Sequence, residues 1–142
     1  MTRRIAAPIF ALFLVSACSS SPSSAPTFTS SSVVQAFASA GLEAGSPTTM
    51  TVADFGTAPH LTTDGTHFLV PSACSGCGGR ALVFTSLSDL QTTKAYYDNL
   101  GKSSAALFSW TFENDKRLVL VQINGQLSKD KADKYGVVVT GL

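Results

Sequence analysis

Cys74-Ser75-Gly76-Cys77 is the densest group of reactive side chains in this 142-residue chain. Two thiols separated by two residues suit three chemistries: a local disulfide, thiol–disulfide exchange, and ligation of a soft metal. Exchange needs an attacking thiol of lowered pKa, and the usual source is a helix N-terminus. Here Cys77 runs into Gly78-Gly79-Arg80 and a predicted strand, so Arg80 is the one visible source of positive potential. Metal ligation brings in His60 and His67, giving four side chains of the kinds zinc or copper accept. The step from His67 to Cys74 can extend about 23 Å, at about 3.3 Å per residue, which sets the two at opposite ends of one strand. His60 and His67 are also further apart in sequence than paired histidine ligands usually are. Each histidine alone reads as an exposed strand-edge or loop residue. A partial site of Cys74, Cys77 and one folded-back ligand stays open, but no resident metal or cofactor is expected. Cys77-Gly78 lacks the histidine that completes a c-type haem attachment motif.

A third cysteine ranks these chemistries. Arg3 and Arg4 precede an apolar run from Ile5 to Val15, and Ser16-Ala17 supplies small residues for cleavage just before Cys18. That run is too short to span a bilayer, which takes about 20 helical residues. Val15-Ser16-Ala17-Cys18 resembles the lipobox of bacterial lipoproteins, whose cysteine receives a lipid and becomes the mature N-terminus. Residues 1–17 then read as a lipoprotein signal peptide. Two acyl chains on Cys18, at about 0.8 kcal/mol per buried CH₂, give stable anchoring. The implied location is extracytoplasmic, at a cell membrane or an outer membrane. Where the host has two membranes, Ser19 after the lipidated cysteine resembles the sorting signal for the outer one. With Cys18 taken by lipid, Cys74 and Cys77 remain as a matched pair in an oxidising compartment, and a disulfide between them is the leading expectation. Closing so short a loop contributes only about 2 kcal/mol.

Cleavage leaves eight Lys and Arg against nine Asp and Glu, a net charge of −1. Nucleic-acid binding, which depends on clustered cations, is therefore not expected. No Gly-x-Ser-x-Gly elbow and no phosphate-binding glycine spacing is present. Asp89, Asp98 and Asp115 read as cap, helix-end and turn residues rather than as paired carboxylates. Phe108, Trp110, Tyr96 and Tyr97 read as core aromatics, and Lys94 as a snorkelling stem on an apolar helix edge. No catalytic constellation emerges. The expectation is a non-enzymatic module that binds an envelope protein or a small ligand, with thiol redox or metal binding through Cys74 and Cys77 as alternatives.

The elements that must position these residues follow from patterning. Residues 18–32, Ser- and Pro-rich with little apolar surface, read as the lipidated cysteine and a tether, and 33–142 as one globular domain. Val33, Val34, Phe37, Ala40 and Gly41 predict an opening helix capped by Ser31 or Ser32. Leu42 to Gly65 reads as a long, partly extended connection with one helical turn near Met50 to Phe55. Thr63-Asp64-Gly65 marks a turn, and His67–Val70 and Arg80–Thr85 read as strands joined by a loop of small residues. Ser86 caps a helix with Asp89 as the partner in a capping box, a stripe of Leu87, Leu90, Tyr97 and Leu100, and Gly101 as its stop. Alternation at Phe108, Trp110 and Phe112 and at Val119, Val121 and Ile123 predicts a hairpin about Asn114-Asp115. Ser128 opens a final helix through Ala132, Tyr135, Val139 and Leu142, with Val137-Val138-Val139 equally suited to a strand. The order α-β-β-α-β-β-α makes an α+β, two-layer domain, a largely antiparallel sheet with helices on a face.

Several words along this domain are distinctive: Phe68-Leu69-Val70-Pro71-Ser72, Gly78-Gly79-Arg80, Thr93-Lys94-Ala95-Tyr96-Tyr97-Asp98, Leu100-Gly101-Lys102, Phe108-Ser109-Trp110 and Val121-Gln122-Ile123-Asn124-Gly125. Through them, and through Ala36-Phe37 with Ala40-Gly41-Leu42, the chain resembles a group of small bacterial lipoproteins and secreted proteins, some labelled only as stress proteins. The resemblance implies export and a compact α+β domain, and it lends no catalytic residues.

Overall fold

The computed structural model describes residues 28–142. The expected signal peptide, the expected lipidation site Cys18 and most of the expected tether lie outside the described residues. In chain order the elements are α1 (Ser30–Ser39), β1 (Gly45–Thr49), β2 (Asp64–Leu69), β3 (Gly78–Val83), α2 (Leu87–Ser103), β4 (Ser109–Asn114), β5 (Val119–Asn124) and α3 (Lys129–Thr140). The class is α+β, and the strands form one antiparallel sheet in the order β1-β2-β3-β5-β4.

Period-two alternation sends the central strands to two separate cores. Ala81, Val83, Val119, Val121 and Ile123 pack beneath α1 and α3, with Val33, Phe37, Ala132, Tyr135 and Val139. Leu82 and Leu120 point the other way and pack beneath α2, with Phe55, Phe84, Leu90 and Tyr97. The sheet is thus covered on both faces, giving three layers where two were expected. Apolar runs such as Val119-Leu120-Val121 mark strands buried on both sides. On the α1–α3 face the rings of Phe37, Phe68 and Tyr135 form a triangle, with the Phe68 centroid 5.5 and 6.4 Å from those of Phe37 and Tyr135, which are themselves 5.0 Å apart.

The connection from Leu42 to Gly65 holds an additional strand, β1, which pairs with β2 through Thr48 opposite His67 and Thr49 opposite Thr66. The observed order is therefore α-β-β-β-α-β-β-α. All five residues of β1 are exposed, so no apolar alternation announced it. The helical turn expected near Met50 to Phe55 is a 3₁₀ turn at Val52–Phe55 that drives Phe55 into the α2-side core. Asp64 and Gly65, expected in a turn, begin β2 instead.

Folded structure also begins earlier than residue 33. Thr29 caps α1: its side chain accepts from the Ser32 N–H, and the Ser32 hydroxyl lies 3.2 Å from the Thr29 N–H that donates to it. Ser30 is fully buried, with its hydroxyl 2.7 Å from that of Thr66 and its N–H donating to Asp64 at 2.6 Å. Ser31 and Ser32 thus lie inside the helix they were expected to cap. Ser86 does cap α2, accepting from the Asp89 N–H, while Leu87 at the head of the expected stripe is 45% exposed. The helix runs past Gly101 to Ser103, and Gly101 packs beneath Phe108, whose ring is 3.1 Å from where a Cβ would stand. The β4–β5 hairpin and α3 form where periodicity placed them, and the Val137–Val139 run is helical.

Candidate functional site

The Cys74–Cys77 disulfide sits in the loop joining β2 to β3, with a Cα–Cα distance of 5.0 Å. Val70 N–H donates to the Cys77 carbonyl and Cys77 N–H to the Cys74 carbonyl, so backbone bonds and the bridge close the loop together. Gly76 turns the tip at φ +76°, a conformation that costs glycine little. Gly78 and Gly79, expected as loop residues, belong to β3. A Cβ on Gly79 would stand 2.6 Å from the Phe68 ring and 2.8 Å from the Gln122 carbonyl oxygen. The glycine pair therefore lets β3 pass under a core aromatic, and the bridge sits next to the core packing that Gly79 permits.

Strand register builds the site beside the bridge. Thr48 of β1 faces His67 of β2, His67 faces Arg80 of β3, Arg80 faces Gln122 of β5, and Gln122 faces Thr111 of β4. One polar row thus crosses all five strands on the α2 side of the sheet. The parallel row two residues along, Gly65, Leu82, Leu120 and Glu113, carries the leucines that α2 covers. Between the polar row and the bridge lies a concavity of about 280 Å³, lined by His67, Arg80, Gln122, Asn124 and residues 75–79. Arg80 Nη1 donates to the Tyr97 hydroxyl at 3.0 Å, which ties the site to the buried face of α2. Burial, and secondarily the Arg80 guanidinium, hold the His67 imidazole below its ordinary 6.5.

β3 folds back along β2 so that His67 and Cys77 line one concavity, whose lining does not include Cys74. His60 lies elsewhere, 4.6 Å from the Phe55 ring. Among the described residues no group of three or more His, Cys, Asp or Glu has metal-binding geometry. The cysteines also lie in a turn between two strands, and neither opens a helix of its own, the usual arrangement that lowers a thiol pKa.

The other singled-out side chains have structural partners. Asp98, expected at a helix end, sits within α2 and holds Lys94 at 2.8 Å and the Thr111 hydroxyl at 2.7 Å. Burial raises the Asp98 pKa, but the hydrogen bonds from Lys94 and Thr111 outweigh it and leave a net lowering. A wider groove of about 750 Å³ runs along the β4 edge past Lys94, Phe112 and Val137, and Asp98 neutralises its lysine. Tyr97 is buried, Phe108 stacks edge-on against Trp110 at 4.8 Å, and Trp110 donates to the Leu127 carbonyl at 2.9 Å. The Tyr135 hydroxyl donates to the Glu43 carbonyl, and burial, with the Glu43 charge, pushes its pKa up to about 12.

The row His67–Arg80–Gln122 was missed in the sequence because each member stands alone in its own strand. The available signal was a polar residue interrupting each apolar run at the α2-facing phase. Comparisons with protein-family models, curated proteins and solved structures find no match to this chain.

Proposed function

We propose that this protein is an extracytoplasmic lipoprotein, anchored through a lipid on Cys18, that works as a non-enzymatic binding module. The observation that carries the reading is the pairing of a lipobox-like Val15–Cys18 with a disulfide at Cys74–Cys77, a bond that persists in oxidising compartments outside the cytoplasm. A polar concavity on a sheet otherwise closed by helices gives such a module a place to bind. The resemblance to small bacterial lipoproteins agrees with the anchoring and adds no activity. The mature protein stays at the membrane surface, and its partners are that membrane and an envelope protein or small ligand.

Replacing Cys18 by Ser and fractionating the producing cells tests the anchoring. The expected outcome is release of the protein from the membrane fraction or accumulation of the uncleaved precursor. A Cys18→Ser product that is processed normally and remains in the membrane fraction overturns it. Thiol redox is the second reading, favoured by the exposure of the loop tip at Ser75 and Gly76. It requires cysteine-dependent turnover in an insulin-reduction assay.

A further inference from the structure

We infer that the concavity around Arg80 is a binding site for a small oxyanion, a carboxylate- or phosphate-bearing group held by the guanidinium and by neighbouring neutral donors. The inference rests on the binding-module reading and supplies its ligand class. Arg80 stands on the central strand β3, partly buried in the polar row between His67 and Gln122. Its one protein acceptor among the described residues is the neutral Tyr97 hydroxyl, and no carboxylate lies within 4 Å of it. The two ion pairs formed among the described residues belong to lysines on helices. A guanidinium carries five N–H donors in a rigid fork, so most of those on Arg80, which lines the concavity, have no protein side-chain acceptor among the described residues.

The rest of the lining fits the same class of ligand. Gln122 and Asn124 bring neutral side-chain amides, and no acidic residue lines the concavity. The Asn124 Oδ1 accepts from the Gln126 N–H at 2.9 Å, which turns the amide nitrogen into the donor left for a ligand. The Asp54 carboxylate keeps its charge, held ionised by the Thr51 N–H at 2.6 Å and the Thr51 hydroxyl at 2.8 Å, and it stands outside the lining of the concavity. A volume of about 280 Å³ admits an anion of a few heavy atoms or the charged end of a longer ligand. The bridge between Cys74 and Cys77 holds one wall of this volume in place, which reduces the ordering cost of binding.

The test is a titration of the ¹H–¹⁵N spectrum of the full mature chain in neutral detergent, with inorganic phosphate in one arm and acetate in the other. The expected result is saturable shifts confined to the amides of residues 76–80 and the side-chain amides of Gln122 and Asn124, with a Kd of about 1 mM for at least one anion. Saturation by phosphate alone or by acetate alone assigns the class. Arg80→Gln should weaken that binding at least about tenfold, as loss of a charge-assisted pair implies. Asn124→Asp keeps the Gln126 contact, adds a negative charge, and should abolish binding even where the arginine variant folds poorly. Absence of saturable shifts at these amides in both arms, or equal binding by Asn124→Asp, overturns the site. A lipidated, disulfide-bonded chain that binds neither anion removes this site alone, whereas an unlipidated chain that binds one removes the anchoring alone.

Discussion

Burial and Arg80 hold the His67 imidazole below 6.5, so between its folded pKa and 6.5 the folded chain binds fewer protons there than the unfolded chain. Stability from this residue is complete above 6.5 and is lost as pH falls through that window. Glu43, Asp54 and Asp98 are also lowered, from ordinary values of 4.5, 3.8 and 3.8, and their contributions are lost only at more acidic pH. The melting temperature should therefore drop as pH falls below about 6.5, and His67→Gln should flatten that drop. An unchanged slope in the variant contradicts the assignment. Asp98 offers a second contrast at this scale. Asp98→Ala strands a half-buried ammonium and the Thr111 hydroxyl and should cost about 1–2 kcal/mol in urea melts. Asp133→Ala, which breaks the exposed pair with Lys129, should cost about 0.5 kcal/mol or less. Equal losses would show that Asp98 holds no structural network.

At the scale of elements, the β2–β3 hairpin carries both the bridge and the site, and its packing depends on a residue without a side chain. Gly79→Ala forces the Phe68 ring or the β5 backbone to move and should destabilise by about 1–3 kcal/mol. Replacing both Cys74 and Cys77 by Ser should cost about 2 kcal/mol, the entropy of a four-residue loop, and leave the sheet intact. A double variant that unfolds at room temperature would show that the bridge holds far more than its loop. These elements differed in how plainly the sequence announced them. The β4–β5 hairpin and α2 were legible because apolar spacing and the Ser86 cap agreed locally. β1 was invisible because its five exposed residues, including Pro47, follow no apolar pattern and are ordered by pairing with β2. Thr29 was passed over as a cap because the start of α1 is fixed by distant partners, Asp64 and Thr66, whose approach is a tertiary event.

Across the whole molecule, helices on both faces follow from the doubly apolar phase of β3 and β5, and that coverage leaves one end of the α2 side open. The disulfide pair was legible from residue types and the compartment they led one to expect; the concavity was not, since register alone brings His67, Arg80 and Gln122 into one row. We propose a lipid-anchored chain that presents a disulfide-bonded domain outside the cytoplasm. Intact-mass spectrometry of the native mature protein, before and after thiol alkylation, reads both parts at once. The expected product is a chain that begins at Cys18, carries a diacylglyceryl addition, and gains no alkyl group at Cys74 or Cys77. A chain that retains Met1 or bears an unmodified Cys18, or that takes up two alkyl groups, would contradict it.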